Sequence, residues 1–234
     1  PALRWAVSMG MLPRMPDMHP PRRPKGQSLM RGRPITAEEF DRMVAAVPKV
    51  RPHDAPAWVH YLTGLWLSGL RLEESLALSW DADAPFHADL TGRRPSIRIY
   101  AEAQKSRRDE VLPMTPDFAK LLMETPEGDR HGLVFNLAGL QTGKQMSPKR
   151  VCRVVSAIGR KAGVVVNKAD GKYASCHDLR RGFGTRWAKR VMPAVLKRLM
   201  RHASIETTMS YYVDLDSADV ADQLWAAYGD EQSN

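Results

Sequence analysis

Apolar residues recur at helical spacing over most of the chain. From Thr36 onward, Phe40, Met43, Val44 and Val47 fall on one stripe, and Thr36 with Glu39 has the signature of a capping box. A helix is therefore predicted to begin there. Residues 55–68 are apolar and rich in aromatics, which predicts a second helix that Gly69 ends. A third is predicted from Leu72 to Leu78. The period then changes from helical to alternating. Ser96–Ala103 and Glu110–Met114 read as strands, and the polar segment Gln104–Asp109 between them reads as the turn of a β-hairpin. Thr115-Pro116 and Ser147-Pro148 each place a capping residue before a proline at the first helical position. They open helices predicted to reach Met123 and Ala162, the latter stopped by Gly163. Further helices are predicted over 177–190, 193–201, 205–212 and 216–228. The fold class is mainly α with a small antiparallel β-sheet.

Two segments precede this pattern. Residues 1–12 read as the end of a helix, and 13–35, rich in Pro and Arg, as an extended linker. The main domain is expected over 36–214, with a C-terminal helix and acidic tail over 215–234. The chain starts at Pro1 rather than Met, so it is expected to be a piece of a longer protein.

Composition narrows the function classes. No apolar run approaches the roughly 18 residues of a membrane span, and no signal-peptide pattern opens the chain. A cytoplasmic protein without a membrane partner is expected. Cys152 and Cys176 are expected to be small core residues in a reducing compartment, and the His spacing matches no metal motif, so no metal is expected.

Charge is more informative by position than in sum. The net charge is +9, yet residues 141–202 hold sixteen Lys and Arg against two acids, and residues 203–234 hold seven acids and no Lys or Arg. A concentrated basic block points either to a polyanion partner, most often nucleic acid, or to a solvated basic face. Composition alone does not separate the two.

Four local patterns carry candidate chemistry. The first is Gly69-Leu70-Arg71 with Glu74 three residues on. The second is Lys105 in the hairpin turn. The third is His177-Asp178-Leu179-Arg180, which on a helix sets His177 and Arg180 on one face. The fourth runs from His202 through Thr207-Thr208 to Tyr211-Tyr212. The first three alone read at least as well as ordinary surface or capping features; the fourth is long and specific.

In this order, the four resemble the motifs of the tyrosine recombinases, the phage-integrase family, over about residues 36–215. Arg71 and Glu74 match the family's G-L-R-x-x-E segment. Lys105 matches the hairpin Lys ahead of a V-P-L-like strand, here Val111-Leu112-Pro113-Met114. His177 and Arg180 match H-x-x-R, and Met200-Arg201-His202 matches L-G-H, with Arg201 where the family usually has Gly. Tyr211 lies nine residues after that His, the spacing of the family's nucleophile. The resemblance implies a recombinase catalytic-domain fold and cleavage of double-stranded DNA through a 3′-phosphotyrosyl link, without metal, ATP or other cofactor. Strand cleavage of this kind needs a nucleophile, cationic donors on the phosphate oxygens and a proton for the leaving hydroxyl. Arg71 and Arg180 are expected to fork the phosphate, and His202 to add a hydrogen bond. Lys105 is expected to protonate the leaving 5′-hydroxyl, and His177 to help take the proton from Tyr211. Glu74 is expected to brace the cluster. Tyr212 is a rival nucleophile, but on a helix it points about 100° away from Tyr211.

Arg107, Arg108, Lys149, Arg150, Arg153, Arg181 and Arg201 are expected to contact DNA, and Trp187 to pack in the core. The resemblance further implies a monomer that assembles into a synaptic tetramer on DNA, nucleoid-associated in the cell. Leu224, Trp225 and Tyr228 of the last helix either pack within the chain or dock on a neighbouring protomer. Leu3–Leu12 resembles the end of the family's N-terminal core-binding domain, which clamps the far side of the DNA. Without that clamp, weak DNA binding and poor recombination are expected. A topoisomerase-like nicking and closing enzyme of type IB, a DNA-binding module without catalysis, and a basic scaffold or RNA binder are the other readings.

Overall fold

The computed structural model describes residues 2–16, 32–103, 107–140, 142–212, 219–222 and 224–225. The chain divides into two units, residues 1–31 and 32–234. In the first, helix α1 (Ala2–Ser8) is a short segment without buried residues.

The second unit starts slightly ahead of the expected boundary at Thr36. Ile35 is already core, and the Arg33 guanidinium bonds both the Glu39 carboxylate and the Val165 carbonyl. Helix α2 (Ala37–Val50) opens with the predicted box, Thr36 accepting from the Glu39 amide while Glu39 accepts from the Thr36 amide. Helix α3 (Ala55–Ser68) is apolar around most of its circumference because it lies inside: Trp58, Tyr61, Leu62 and Leu65 are all buried. It packs against α2, α5 (Pro116–Met123) and α7 (Cys176–Ala188). Phe40 stacks on Trp66, and the Arg186 guanidinium lies over the same indole, which joins α2, α3 and α7 at one layer. Trp187 of α7 is half-buried against Phe183.

After α4 (Leu72–Ala77) the chain enters a four-stranded sheet in the order β1 (Leu78–Ser79), β2 (Phe86–Asp89), β3 (Ser96–Ile99), β4 (Glu110–Pro113). The β2–β3–β4 part is antiparallel, and β1 adds a two-residue parallel edge. Strand β3 ends earlier than its alternation predicts. The ladder stops at Ile99↔Glu110, and the Asp109 carboxylate captures the Ala101 amide, turning Ala101–Ala103 into a 3₁₀ turn. Helix α6 (Pro148–Lys161) packs along α2 and leads to a small hairpin of β5 (Val165–Asn167) and β6 (Lys172–Tyr173). Helices α8 (Pro193–Leu199) and α9 (Ile205–Met209) complete the body, α9 being shorter than the 205–212 expected. Residues 219–222 and 224–225 are helical, within the span predicted for the last helix. No helix among the described residues is long and apolar enough to cross a membrane. Cys176 is buried, and Cys152 half-buried; both are free thiols.

The core is close-packed at helix glycines. A Cβ on Gly64 of α3 would stand 2.2 Å from Cζ of Phe135, itself buried. In an open helix, Gly→Ala gains about 0.5–1 kcal/mol. Here the overpacking term of about 1–3 kcal/mol outweighs it. Gly64→Ala is therefore expected to lower the chemical denaturation midpoint. A raised midpoint would show that Phe135 has room to move.

Candidate active site

Three helix ends meet at one arginine. Arg180, in the second turn of α7, is 6% exposed. One of its terminal nitrogens donates to the Gly69 carbonyl at the end of α3, the other to the Met200 carbonyl at the end of α8. Both acceptors are carbonyls of the kind that a helix terminus leaves without an intrahelical partner. Burial pulls Arg180 down to about 10, with the Arg71 charge acting the same way and Glu74 and Tyr211 opposing. It stays cationic at neutral pH.

The α3 terminus is shaped by Gly69, whose φ of +63° suits a residue without a side chain. A Cβ there would also lie 2.3 Å from the Phe183 ring. The turn delivers Arg71 to the N-cap of α4, where its amide and one guanidinium nitrogen both bond Glu74 (2.9 and 2.8 Å). Glu74 is buried, which opposes its charge, but the Arg71 hydrogen bonds and the Arg71 and Arg201 cations outweigh this and hold it below the usual carboxylate range.

The α8 terminus is a Schellman motif. The His202 amide bonds the Lys197 carbonyl and the Arg201 amide the Arg198 carbonyl, with Arg201 at the position that takes the left-handed conformation. Arg201 has φ +50°, where glycine is favoured and a side chain costs about 1–2 kcal/mol. This motif sets where His202 stands. Its Nδ1 lies 3.0 Å from the hydroxyl of buried Thr208, and its ring stacks on Tyr211 with centroids 5.8 Å apart and planes 17° from parallel.

Tyr211 follows α9 in a turn, its amide bonded to the Thr208 carbonyl. The ring rests on Gly184, where a Cβ would come within 2.5 Å of it. Gly184 lies four residues after Arg180 on α7, so the Tyr211 ring covers the turn next to that guanidinium. The Tyr211 hydroxyl has no hydrogen-bond partner among the described residues. Tyr212 differs: its hydroxyl donates to the Val191 carbonyl at 2.5 Å. Of the two adjacent tyrosines, one is tied up by the main chain and the other faces the cationic cluster.

The capping box of α7 places His177. Asp178 accepts from the Ser175 amide and hydroxyl, and Arg181 bonds the other carboxylate oxygen. His177 is exposed at the helix start, yet loss of water on its protein side lowers its pKa, and Arg181, Arg180 and Arg71 reinforce that. His202 is pulled to about 4 by burial, then by Arg180, Arg71 and His177. Both imidazoles are neutral near pH 7. If Thr208 donates its proton to Nδ1, His202 keeps an Nε2–H to offer. Burial raises Tyr211, while Arg180 and Arg181 pull it back.

The sequence profile of the Phage integrase family matches residues 33–218. The chain belongs to the phage integrase family. Tyrosine recombinase XerA of Pyrococcus furiosus is 25% identical over 183 residues, which is 76% of this chain and 56% of that protein. The chain thus spans little more than half the length of this curated relative. Among solved structures, the XerA recombinase crystal structure superposes with a TM-score of 0.54 at 19% identity, covering 89% of this chain and 66% of that one. A lambda integrase dimer bound to a core site gives 0.58 at 16% identity, covering 90% and 68%. The integrase catalytic-domain fold follows from this family membership and these likenesses.

Within this integrase domain, Arg71, Glu74, His177, Arg180, His202 and Tyr211 lie in one cluster. Lys105 lies outside the described residues, as does Tyr228. Arg107 and Arg108, ahead of β4, and Lys149, Arg150 and Arg153, on the first turns of α6, are exposed. Arg181 and Arg201 are less exposed than these. Their side chains are only 11% and 15% exposed, and they turn inward to carboxylates: Arg181 to Asp178, Arg201 to Glu74 and Glu110. Partly buried carboxylates hold these two guanidiniums. Gly184 escaped the motif reading, and Thr208, within the fourth motif, was given no role of its own. A glycine inside a predicted helix is a packing signal, and it marks Gly184; nothing local marks the Thr208 hydroxyl.

The depressed His202 pKa makes stability depend on pH. An unfolded His titrates near 6.5, so between about 6.5 and about 4 the unfolded chain binds a proton that the folded one does not. The His202 contribution is complete above the unfolded value and is lost as pH falls through this window. NMR titration should find the His202 ring neutral down to about pH 4, and His202→Gln should flatten the fall in stability between pH 6.5 and 4. A ring titrating near its unfolded value would refute the assignment.

Proposed function

We propose that this domain is the catalytic part of a site-specific DNA recombinase. The observation that carries the reading is the Arg180 cluster: the buried guanidinium bonds the Gly69 and Met200 carbonyls in the turns that lead to Arg71 and His202, with the Tyr211 ring stacked on that histidine and lying over the same turn of α7. The Tyr211 oxygen attacks a DNA phosphorus, the new O–P bond forms as the bond to the 5′ oxygen breaks, and the product is a 3′-phosphotyrosyl link with a free 5′-hydroxyl. His177, neutral at working pH, accepts the Tyr211 proton. Lys105 gives a proton to the leaving oxygen. Arg71 and Arg180 each retain N–H groups beyond those bonded within the protein, since a guanidinium has five, and these meet the non-bridging oxygens with the His202 donor. The phosphodiester energy is held in the tyrosyl link, so reversal by a 5′-hydroxyl from another duplex exchanges strands without ATP.

Double-stranded DNA is the partner, with Arg107, Arg108, Lys149, Arg150 and Arg153 on its phosphates. Monomers assemble into a tetramer on the DNA, a reading favoured by the exposed Leu224 and Trp225 in the C-terminal segment. Charge supports the same assembly: an acidic tail follows the basic block and complements its counterpart on a neighbour.

Incubation with a nicked suicide duplex should trap a covalent protein–DNA adduct, and removal of divalent metal should leave it intact. Tyr211→Phe should abolish the adduct and Tyr212→Phe should retain it. No adduct from the wild type would leave a DNA-binding module; relaxation without exchange between duplexes would mark a nicking and closing enzyme. Gly184→Ala should push the Tyr211 ring off its seat and slow adduct formation on the order of 10²-fold, the scale for a misplacement near 1 Å. An unchanged rate would remove Gly184 from the site.

A further inference from the structure

The resemblance puts a glycine where this chain has Arg201, and the backbone there keeps the left-handed conformation that glycine favours, φ +50°. From that position the arginine reaches across to other elements. Its Nη1 bonds Oε1 of Glu74 at 2.6 Å, its Nε bonds Oε2 of Glu110 at 3.2 Å, and its carbonyl accepts from Arg71 Nη2 at 2.6 Å. The partners come from two separate places in the fold, the start of α4 and strand β4. Glu74 Oε1 is shared between Arg201 and Arg71.

We propose that Arg201 is a positioning residue of the cleavage site, tying strand β4 and the end of α8 to the Arg71–Glu74 pair so that the Arg71 guanidinium is held in one orientation. This rests on the recombinase reading for the reaction it serves. Exposed ion pairs contribute little, but here the guanidinium is 15% exposed and Glu74 10%. A planar fork reaching two carboxylates through different nitrogens restricts direction in a way that a point charge does not. The side chain and the carbonyl act separately. A glycine would keep the carbonyl contact to Arg71 and relieve the left-handed strain, yet leave Glu74 with Arg71 as its hydrogen-bonded cation and remove the Arg201 link between Glu110 on β4 and the pair.

Arg201→Gly, Arg201→Lys and Glu110→Gln test this with two readouts: NMR titration of the Glu74 carboxyl in the free protein, and the rate of adduct formation on the nicked duplex against pH. In Arg201→Gly the lost cation should raise the Glu74 titration and shift the acid limb of the rate to higher pH. The rate at neutral pH should fall about tenfold or more, the consequence of a loosened reacting group. Arg201→Lys should recover the titration more fully than the rate. Glu110→Gln should slow the rate while leaving the Glu74 titration in place. Arg201→Gly with the wild-type titration and rate overturns the proposal, as does a change in melting temperature alone. If the wild type forms no adduct, the recombinase reading falls, and the Glu74 titration by itself still decides whether Arg201 makes this tie.

Discussion

A buried positive charge must be satisfied by hydrogen bonds, and the site is organised by how Arg180 meets that demand. It donates to two main-chain carbonyls, each at the C-terminal end of a helix, where the partial charge is negative and the carbonyls lack intrahelical partners. Two termini that would otherwise need water or separate caps share one guanidinium. The junction carrying Arg71 and the junction carrying His202 are thereby set at a fixed separation. Glu74 is the counterpart on the other side, a buried carboxylate kept ionised by Arg71 and Arg201. Neither buried charge is tolerable without the other's neighbourhood.

The helices were legible because their caps are local. Thr36 with Glu39 and Pro148 after Ser147 mark their termini within a few residues. The short strands were less so. Phe86–Asp89 and Val165–Asn167 hold too few residues to show a period, and β3 ends because the carboxylate of Asp109, ten residues after the last ladder residue Ile99, takes the Ala101 amide. The site residues were legible as an ordered set of motifs, and the fold brings six of them together. What the motifs could not show is direction. Arg181 and Arg201 stand in the same basic block as Arg150 and Arg153, and only tertiary contacts separate guanidiniums turned to internal carboxylates from those exposed on α6.

That separation changes the meaning of the charge excess. Part of the basic block of residues 141–202 holds the fold together and part covers its surface. The inward members set geometry, are screened little by salt and do not depend on a bound polyanion. The outward members are the ones whose interactions salt weakens.

The Tyr212 hydroxyl on the Val191 carbonyl has a mechanical meaning as well. Just beyond Tyr211 the chain is stapled to the loop after α7, and Asp219 is paired with Lys189 a little further on. A pull on the segment that follows must load these two anchors before it reaches the ring on Gly184. Tension applied beyond Asp219 therefore reaches the His202–Tyr211 stack only after these two contacts are loaded.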